Sequence, residues 1–455
     1  MMENRLQAYA ARLSAEDRFL QFGRKAEHPL AHAFPYKRVV HAGVSGTMLP
    51  PAMNQKAWQQ ARDVMVPPAS ASMAYIHIPF CKTKCLYCGF FQNGTNQEAE
   101  NRYVDHLLKE MEQDAENASL GSAPVQSVFI GGGTPTSLSP DNVRRLLQAV
   151  RSYLPLSNDY ELTLEGRIHD LIPEKMEVWF QEGVNRISLG VQSFDTKVRR
   201  QMGRLDAKET VLERLNQAKS YRQAAVIVDL MYGLPDQTSE VWQEDLRCLA
   251  ESGADGVDLY QLNVFESSDL KKAIRSGRLS PAATSVEQSA MFHRGRNYLN
   301  SLGWKRLSHC HWASNNRERS LYNTMALNNC ELFAFGCGAG GHSGGYSYML
   351  HRVLSMYESM VDQGIKPIMG MFRQAKAAPV TEKIQAQMNQ CRLDLTGIAG
   401  TDAALKEMHW LGKLWEEYGL WKYNGHIYQL TEAGEFWNMN MTQTLVESAE
   451  LLLKK

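Results

Sequence analysis

With 455 residues the chain has room for roughly two to four domains and an ample buried core. Lys plus Arg and Asp plus Glu number 49 each, so the formal net charge is zero and no nucleic-acid partner is advertised. No apolar run approaches the roughly eighteen residues of a membrane span, and the mixed-charge start MMENRLQAYAARLSAEDRFLQF lacks the apolar core of a signal peptide, so a cytoplasmic protein without a membrane partner is expected.

Residues 1–70 read as an N-terminal extension. A helical start, Gln7 to Phe22, gives way to a Pro- and His-bearing stretch with His28, His32, Tyr36, Lys37, Arg38 and His41. Such a segment either covers the mouth of the main domain or packs loosely with solvated histidines. From Ala74 a strand–helix rhythm begins, with short apolar runs at Tyr75–Ile78, Ser127–Ile130, Glu161–Glu165, Arg186–Gly190, Val226–Met231 and Gly256–Asn263. Helical patterns separate them, such as Glu98–Asn117 with Tyr103, Leu107, Leu108 and Met111 on one face. This alternation predicts an α/β fold, a parallel sheet curled into a partial (β/α)6 TIM-like barrel over 71–265. The site should lie at the C-terminal ends of its strands.

The candidate chemistry falls at those ends. The first run leads into Cys81, Cys85 and Cys88 in a C-x3-C-x2-C spacing. Three thiolates on one short loop suit a [4Fe–4S] cluster whose fourth iron is open, and an open position is where chemistry takes place. A structural zinc site borrowing His77 as fourth ligand is the alternative. The second run ends in Gly131-Gly132-Gly133-Thr134-Pro135, where glycines let backbone approach a ligand closely. The third ends at Glu165, a carboxylate that needs a partner at a buried strand end. The fourth runs into Gly190-Val191-Gln192-Ser193-Phe194, with Arg204 expected on the next helix, and the fifth carries Asp229 among apolar neighbours. The other cysteines, Cys248, Cys310, Cys330, Cys337 and Cys391, are scattered singly, as expected of reduced thiols rather than a disulfide framework.

Beyond the barrel a helix is expected over Ser285–Leu302, leading to Ser308-His309-Cys310-His311-Trp312 and later to Leu332-Phe333-Ala334-Phe335-Gly336-Cys337-Gly338-Ala339-Gly340-Gly341-His342. The His-Cys-His element reads as a zinc fragment, a haem-iron ligand set or packed polar residues. Residues 266–375 are assigned to barrel completion and substrate-side elements. Over 376–455, Leu411, Leu414, Trp415 and Tyr418 recur at helical spacing, and a hairpin follows around Asn424-Gly425. That combination predicts a small α+β winged-helix-like module. Its Lys406, Lys413 and Lys422 are outnumbered by Asp402, Glu407, Glu416, Glu417, Glu432 and Glu435, so a cap over a substrate cavity fits better than a phosphate-binding face.

Taken together, IHIPFC-x3-C-x2-C with Tyr87 before the last cysteine, GGGTP, GVQSF and DLMYGLP resemble the radical S-adenosylmethionine (SAM) enzymes. Within them they are similar to the porphyrin-handling branch of coproporphyrinogen III dehydrogenases, haem chaperones and anaerobic haem-degrading methyltransferases, the anaerobilin synthases. The resemblance is strong over residues 70–345. It implies a [4Fe–4S] cluster on Cys81, Cys85 and Cys88 whose open iron holds SAM and cleaves it to a 5′-deoxyadenosyl radical. Tyr75, Gly132, Gly133, Thr134 and Glu165 would seat that SAM, with Tyr87 and Cys337 beside it. A second SAM near Gln192, Arg204 and Asp229 would serve as methyl donor or radical relay, with electrons from a flavodoxin or a flavin reductase.

The coproporphyrinogen enzymes carry another cysteine soon after the motif, where this chain has Gly89-Phe90-Phe91-Gln92-Asn93. The chaperones usually lack the His-containing extension and the His-Cys-His element. The pattern therefore looks most like the haem-degrading methyltransferases, which implies methylation and opening of haem with release of iron and a linear tetrapyrrole. A haem chaperone and a coproporphyrinogen dehydrogenase remain the other readings. His309 or His311 is expected to ligate the haem iron, carried by the last barrel strand to the same rim as Gly336–Ala339.

Overall fold

In the computed structural model, residues 4–39, 46–67, 70–89, 93–326 and 330–454 are described; His41 and the Phe90, Phe91 and Gln92 of the expected continuation lie outside them. The six expected strands are present as β1 (Ser72–Ile78), β2 (Val125–Gly132), β3 (Leu156–Gly166), β4 (Arg186–Gln192), β5 (Ala225–Tyr232) and β6 (Gly256–Gln261). They pair in parallel in that order. Strand β4 is buried along its whole length and β1 at all but Tyr75, as the near-continuous apolar runs of a doubly covered parallel sheet require.

The connecting helices show why the chain folds locally. Helix α1 (Gln97–Ala115) starts at Asn96, whose side chain accepts from Ala99 N, and buries Tyr103, Val104, Leu107 and Met111 against the sheet. Helix α2 (Pro140–Tyr153) has Pro at its first position behind a Ser139 cap. Helix α3 (Ser285–Ser301), expected from the sequence, opens with a complete Thr284–Glu287 capping box.

The barrel is partial. At one edge β7 (His311–Ala313) runs antiparallel to β6. At the other, β8 (Glu331–Phe335) lies parallel to β1 and hands over to three antiparallel strands, Gly340–Ser343, Tyr346–Leu350 and Ile368–Gln374. The His-Cys-His element is therefore not carried on a parallel last strand: β7 and β8 flank the parallel run at its two edges, and β7 runs the other way. His309 and Cys310 still reach the strand ends, because the chain enters β7 from that side: Leu259 N near the end of β6 donates to Cys310 O at 2.8 Å.

The extension is packed rather than loose. Its helical start is two helices, Arg5–Arg12 and Ala15–Phe22, broken where the Ser14 side chain caps Asp17 N. Leu6, Ala10, Phe22, Ala33 and Phe34 are buried, whereas His28 and His32 are exposed. The extension lies on the C-terminal module. Trp415 Nε1 donates to Phe22 O at 2.8 Å, and Arg38 pairs with Glu447 at 2.9 Å. That module has a three-stranded sheet, Arg392–Leu393, Trp421–Tyr423 and Tyr428–Leu430, beside helices His409–Glu417 and Asn438–Leu453. The hairpin loop is longer than the Asn-Gly pair alone, since Asn424 Oδ1 accepts from both His426 N and Ile427 N. Among the described residues no helix is long and apolar enough to cross a membrane.

Candidate active site

The cysteine loop leaves β1 at Ile78 and is laced to the glycine segment after β2. Gly133 N donates to Ile78 O at 2.7 Å and Thr134 N to Phe80 O at 2.8 Å. The glycines are needed for this chain-to-chain approach. A Cβ on Gly133 would stand 2.4 Å from Phe80 O, and one on Gly132, at φ +109°, 2.5 Å from the His77 ring. Thr134 Oγ1 donates to Cys81 Sγ at 3.3 Å. Cys81 and Cys85 are buried and Cys88 is half-buried. Among the described residues no three His, Cys, Asp or Glu side chains converge as the ligands of one ion would. Three thiols on one loop suit a cubane, which takes each on a separate iron. For His77, the fourth ligand of the zinc alternative, Nδ1 is 3.0 Å from Tyr75 Oη, the ring covers Gly132, and Nε2 is buried without a partner in the chain.

A second group lies at the end of β4. Arg204 Nη2 donates to Tyr87 Oη at 3.0 Å, joining this group to the cysteine loop. Burial raises the Tyr87 phenol to about 12, the nearby arginine offsetting part of that rise. Arg204 Nε and Nη1 and Gln192 Oε1 are buried without a partner in the chain. Gln192 is held at φ 71°, outside the regions ordinary residues prefer. Unpaired buried guanidinium N–H groups are costly unless a ligand satisfies them, and a carboxylate with an adjacent amine does so. The residues therefore fit the methionine end of SAM.

Glu165 on β3, Asp229 on β5 and Asp258 on β6 form an acid row across the barrel. Asp229 is opposite Asp258 in register, and Asp258 is opposite His311. Glu165 Oε2 accepts from Gly132 N at 3.2 Å and Asp229 Oδ1 from Ser188 Oγ at 3.2 Å. Burial first, then the charge of Asp229, pushes Glu165 up to about 7; burial and Asp258 do the same to Asp229. An incoming hydroxyl or cationic group would relieve both. Tyr75 stacks on Phe129 at 6.3 Å between centroids, and Phe129 meets Tyr322 at 4.6 Å, lining this side with aromatic rings.

The structure separates the two candidate histidines. His311 is buried, with Nδ1 3.0 Å from Asp258 Oδ2 and Nε2 3.1 Å from Glu318 Oε1. Burial opposes its charge, but the two carboxylates raise it to about 9. Arg186 completes the set at 3.1 Å from Glu318. Both ring nitrogens face carboxylates, which favours a structural cation at His311 in this arrangement. His309 instead lines a cavity of about 430 Å³ with Tyr260, Phe292, Cys310, Asn323 and Phe436. Its Nδ1 is 2.8 Å from Asn389 Oδ1, and burial lowers it to about 4. Asn389 Oδ1 can only accept, so Nδ1 carries the proton and Nε2 keeps its lone pair. Cys337 lies just past the end of β8. Its thiol is buried beside Tyr103 and Glu110, pushed up to about 12 by burial, and it is the turn at Gly336 that approaches His77. Asp258, absent from the sequence-based candidates, carries the same signal as Asp229, an acid inside an apolar strand run.

Residues 75–249 match the radical SAM superfamily, and the chain belongs to it. Over 407 residues it is 36% identical to anaerobilin synthase of Escherichia coli O157:H7, covering 89% of this chain and 90% of that protein. Heme chaperone HemW of Escherichia coli K12 is 37% identical over 202 residues, 44% of this chain and 52% of its own. Coproporphyrinogen III oxidase (HemN) from Escherichia coli, a radical SAM enzyme of known structure, covers 90% of this chain and 97% of its own at TM-score 0.78. At 21% identity that likeness is one of fold. Membership implies a [4Fe–4S] cluster and SAM, which the cysteine loop and the Gln192–Arg204 group fit.

Proposed function

We propose that the chain methylates and opens the haem macrocycle without oxygen, releasing iron and a linear tetrapyrrole. The observation that supports this most is the extent of the likeness to anaerobilin synthase. It spans 89% of the chain at 36% identity, whereas a HemW chaperone of Bacillus subtilis spans 60% at 30% and a coproporphyrinogen III oxidase of Helicobacter pylori 81% at 27%. The cluster and SAM, when bound, supply a carbon-centred radical at the strand ends. Cys81, Cys85 and Cys88 hold the cluster. Tyr75, Gly132, Gly133, Thr134 and Glu165 shape the first SAM seat, and Gln192, Arg204 and Asp229 orient a second SAM as methyl source. The His309 cavity, beside Asp258 and Tyr260, takes the porphyrin, with His309 Nε2 toward the iron. The extension, 1–70, and the cap, 376–455, wall that cavity. A cytoplasmic setting and a flavodoxin or flavin reductase as electron source complete the reading.

Anaerobically reconstituted protein, given haem, SAM and a low-potential reductant, should bleach the Soret band, release free iron and yield a methylated linear product by mass spectrometry. A haem complex that persists under these conditions supports a chaperone instead. Decarboxylation of coproporphyrinogen supports the dehydrogenase.

A further inference from the structure

The cavity beside the acid row has one cation whose charge nothing in the described chain balances. Lys37, on the extension, lines this cavity and also the adjoining cleft along residues 261–265. Its neighbours in sequence are tied down by a single side chain on the cap. Asn440 Nδ2 donates to Tyr36 O, and Asn440 Oδ1 accepts from Arg38 N, each at 2.9 Å. The Arg38 guanidinium is committed to Glu447 at 2.9 Å and Thr444 at 3.3 Å. Lys37 has no such partner. Among the described residues no carboxylate stands within ion-pair distance of it, and the two carboxylates in the cavity wall are taken. Asp258 faces His311 at 3.0 Å, and Glu435 is shared by Arg296 and Arg306. The rest of the wall is amides, hydroxyls and apolar side chains, with the His309 imidazole and the Cys310 thiol.

Lys37 is half-buried, an ammonium partly withdrawn from water without a counter-charge is unfavourable, and burial lowers it to about 8. A solvated lysine would swing outward, as long cationic side chains do when nothing restrains them. Here the Asn440 bracket fixes the backbone at Lys37, so the side chain meets whatever fills the cavity. The complementary ligand is one with an apolar ring body and an acidic substituent.

We propose that Lys37 seats a carboxylate of the bound ligand, which on the reading above is a propionate of the tetrapyrrole, and so decides which edge of the macrocycle faces the strand ends. The test compares haem with haem dimethyl ester, which keeps the iron and the ring but has no carboxylate. Each is titrated by its Soret band into full-length, cluster-reconstituted protein without reductant. The parent should prefer haem by about ten- to a hundredfold, the span expected of a charge-assisted hydrogen bond. Lys37→Met should lose most of that preference by weakening haem and not the ester, and Lys37→Arg should keep it. Matched melting temperatures, and matched SAM cleavage on adding reductant without porphyrin, show that both variants fold. If Lys37→Met keeps the preference, or weakens both porphyrins alike, the anchor is elsewhere and the proposal falls. If the parent binds neither porphyrin, the substrate reading itself falls, a result separate from either of these.

Discussion

Glu165 and Asp229 set two residue-scale expectations that pull in opposite directions. In the folded chain without ligand both carboxyls hold their protons up to about 7, whereas in the unfolded chain they ionise at about 4. Between those limits the unfolded state binds fewer protons, so stability falls as pH rises from about 4 to about 7, and the cost is fully present above that. Glu165→Gln or Asp229→Asn removes a share of it. Thermal melts of either variant at about pH 8 should exceed the parent by on the order of 1–3 kcal/mol, with the gap closing towards about pH 4. The same substitutions remove charged hydrogen-bond acceptors from the SAM seats, so SAM affinity or turnover should drop by about ten- to a hundredfold. A stability gap that does not change with pH, or undiminished SAM binding in both variants, contradicts this account. The two histidines make a contrasting pair. His311→Ala leaves Asp258 without its cation and Glu318 with Arg186 alone, and breaking a buried pair costs about 3–5 kcal/mol. His309→Ala removes no ion pair and should leave stability close to the parent while shifting the Soret maximum of bound haem. The reverse outcome, a stable His311→Ala and an unchanged spectrum in His309→Ala, would exchange their roles. Nothing in Ser-His-Cys-His-Trp distinguishes the two rings, because the carboxylates that claim His311 come from β6 and from Glu318.

At the scale of elements, the site depends on how closely β1 and β2 hand over to their loops. Gly133→Ala puts a methyl 2.4 Å from Phe80 O, next to Cys81, and backbone cannot yield as a flexible side chain can. Reconstituted iron should fall towards that of Cys81→Ala, with 5′-deoxyadenosine formation falling in step. Full iron content in Gly133→Ala would show that the loop adapts. The positions of β1 to β6 could be read from alternating apolar runs and helical spacing, since those patterns are local. The direction of β7 could not. It has three residues, and antiparallel pairing with β6 is decided by packing against a strand over fifty residues away. The glycines show the same limit: their spacing marks a close approach but does not say whether to a ligand or to the chain.

For the whole molecule, the neutral balance of charge conceals segregation. In the barrel interior Arg186 and His311 are paired with carboxylates, while the cap is acidic and carries its own aromatic core of Trp415, Trp421 and Trp437. That the C-terminal segment forms a helix-and-hairpin unit was legible from its spacing and its Asn-Gly turn. That it embraces the extension was not, since contacts 402 residues apart leave no local signature: Arg5 N donates to Glu407.

That embrace has a consequence for how the protein is made. The cysteine loop and all six strands leave the ribosome well before the cap exists. At roughly 5–20 residues per second, the 402-residue gap between Arg5 and Glu407 is on the order of tens of seconds of translation. Through that interval a nascent barrel can present its thiols while the wall that Asn440 helps build is still unsynthesised. Cluster assembly can thus precede any competent pocket, whose walls close only once the two termini have met.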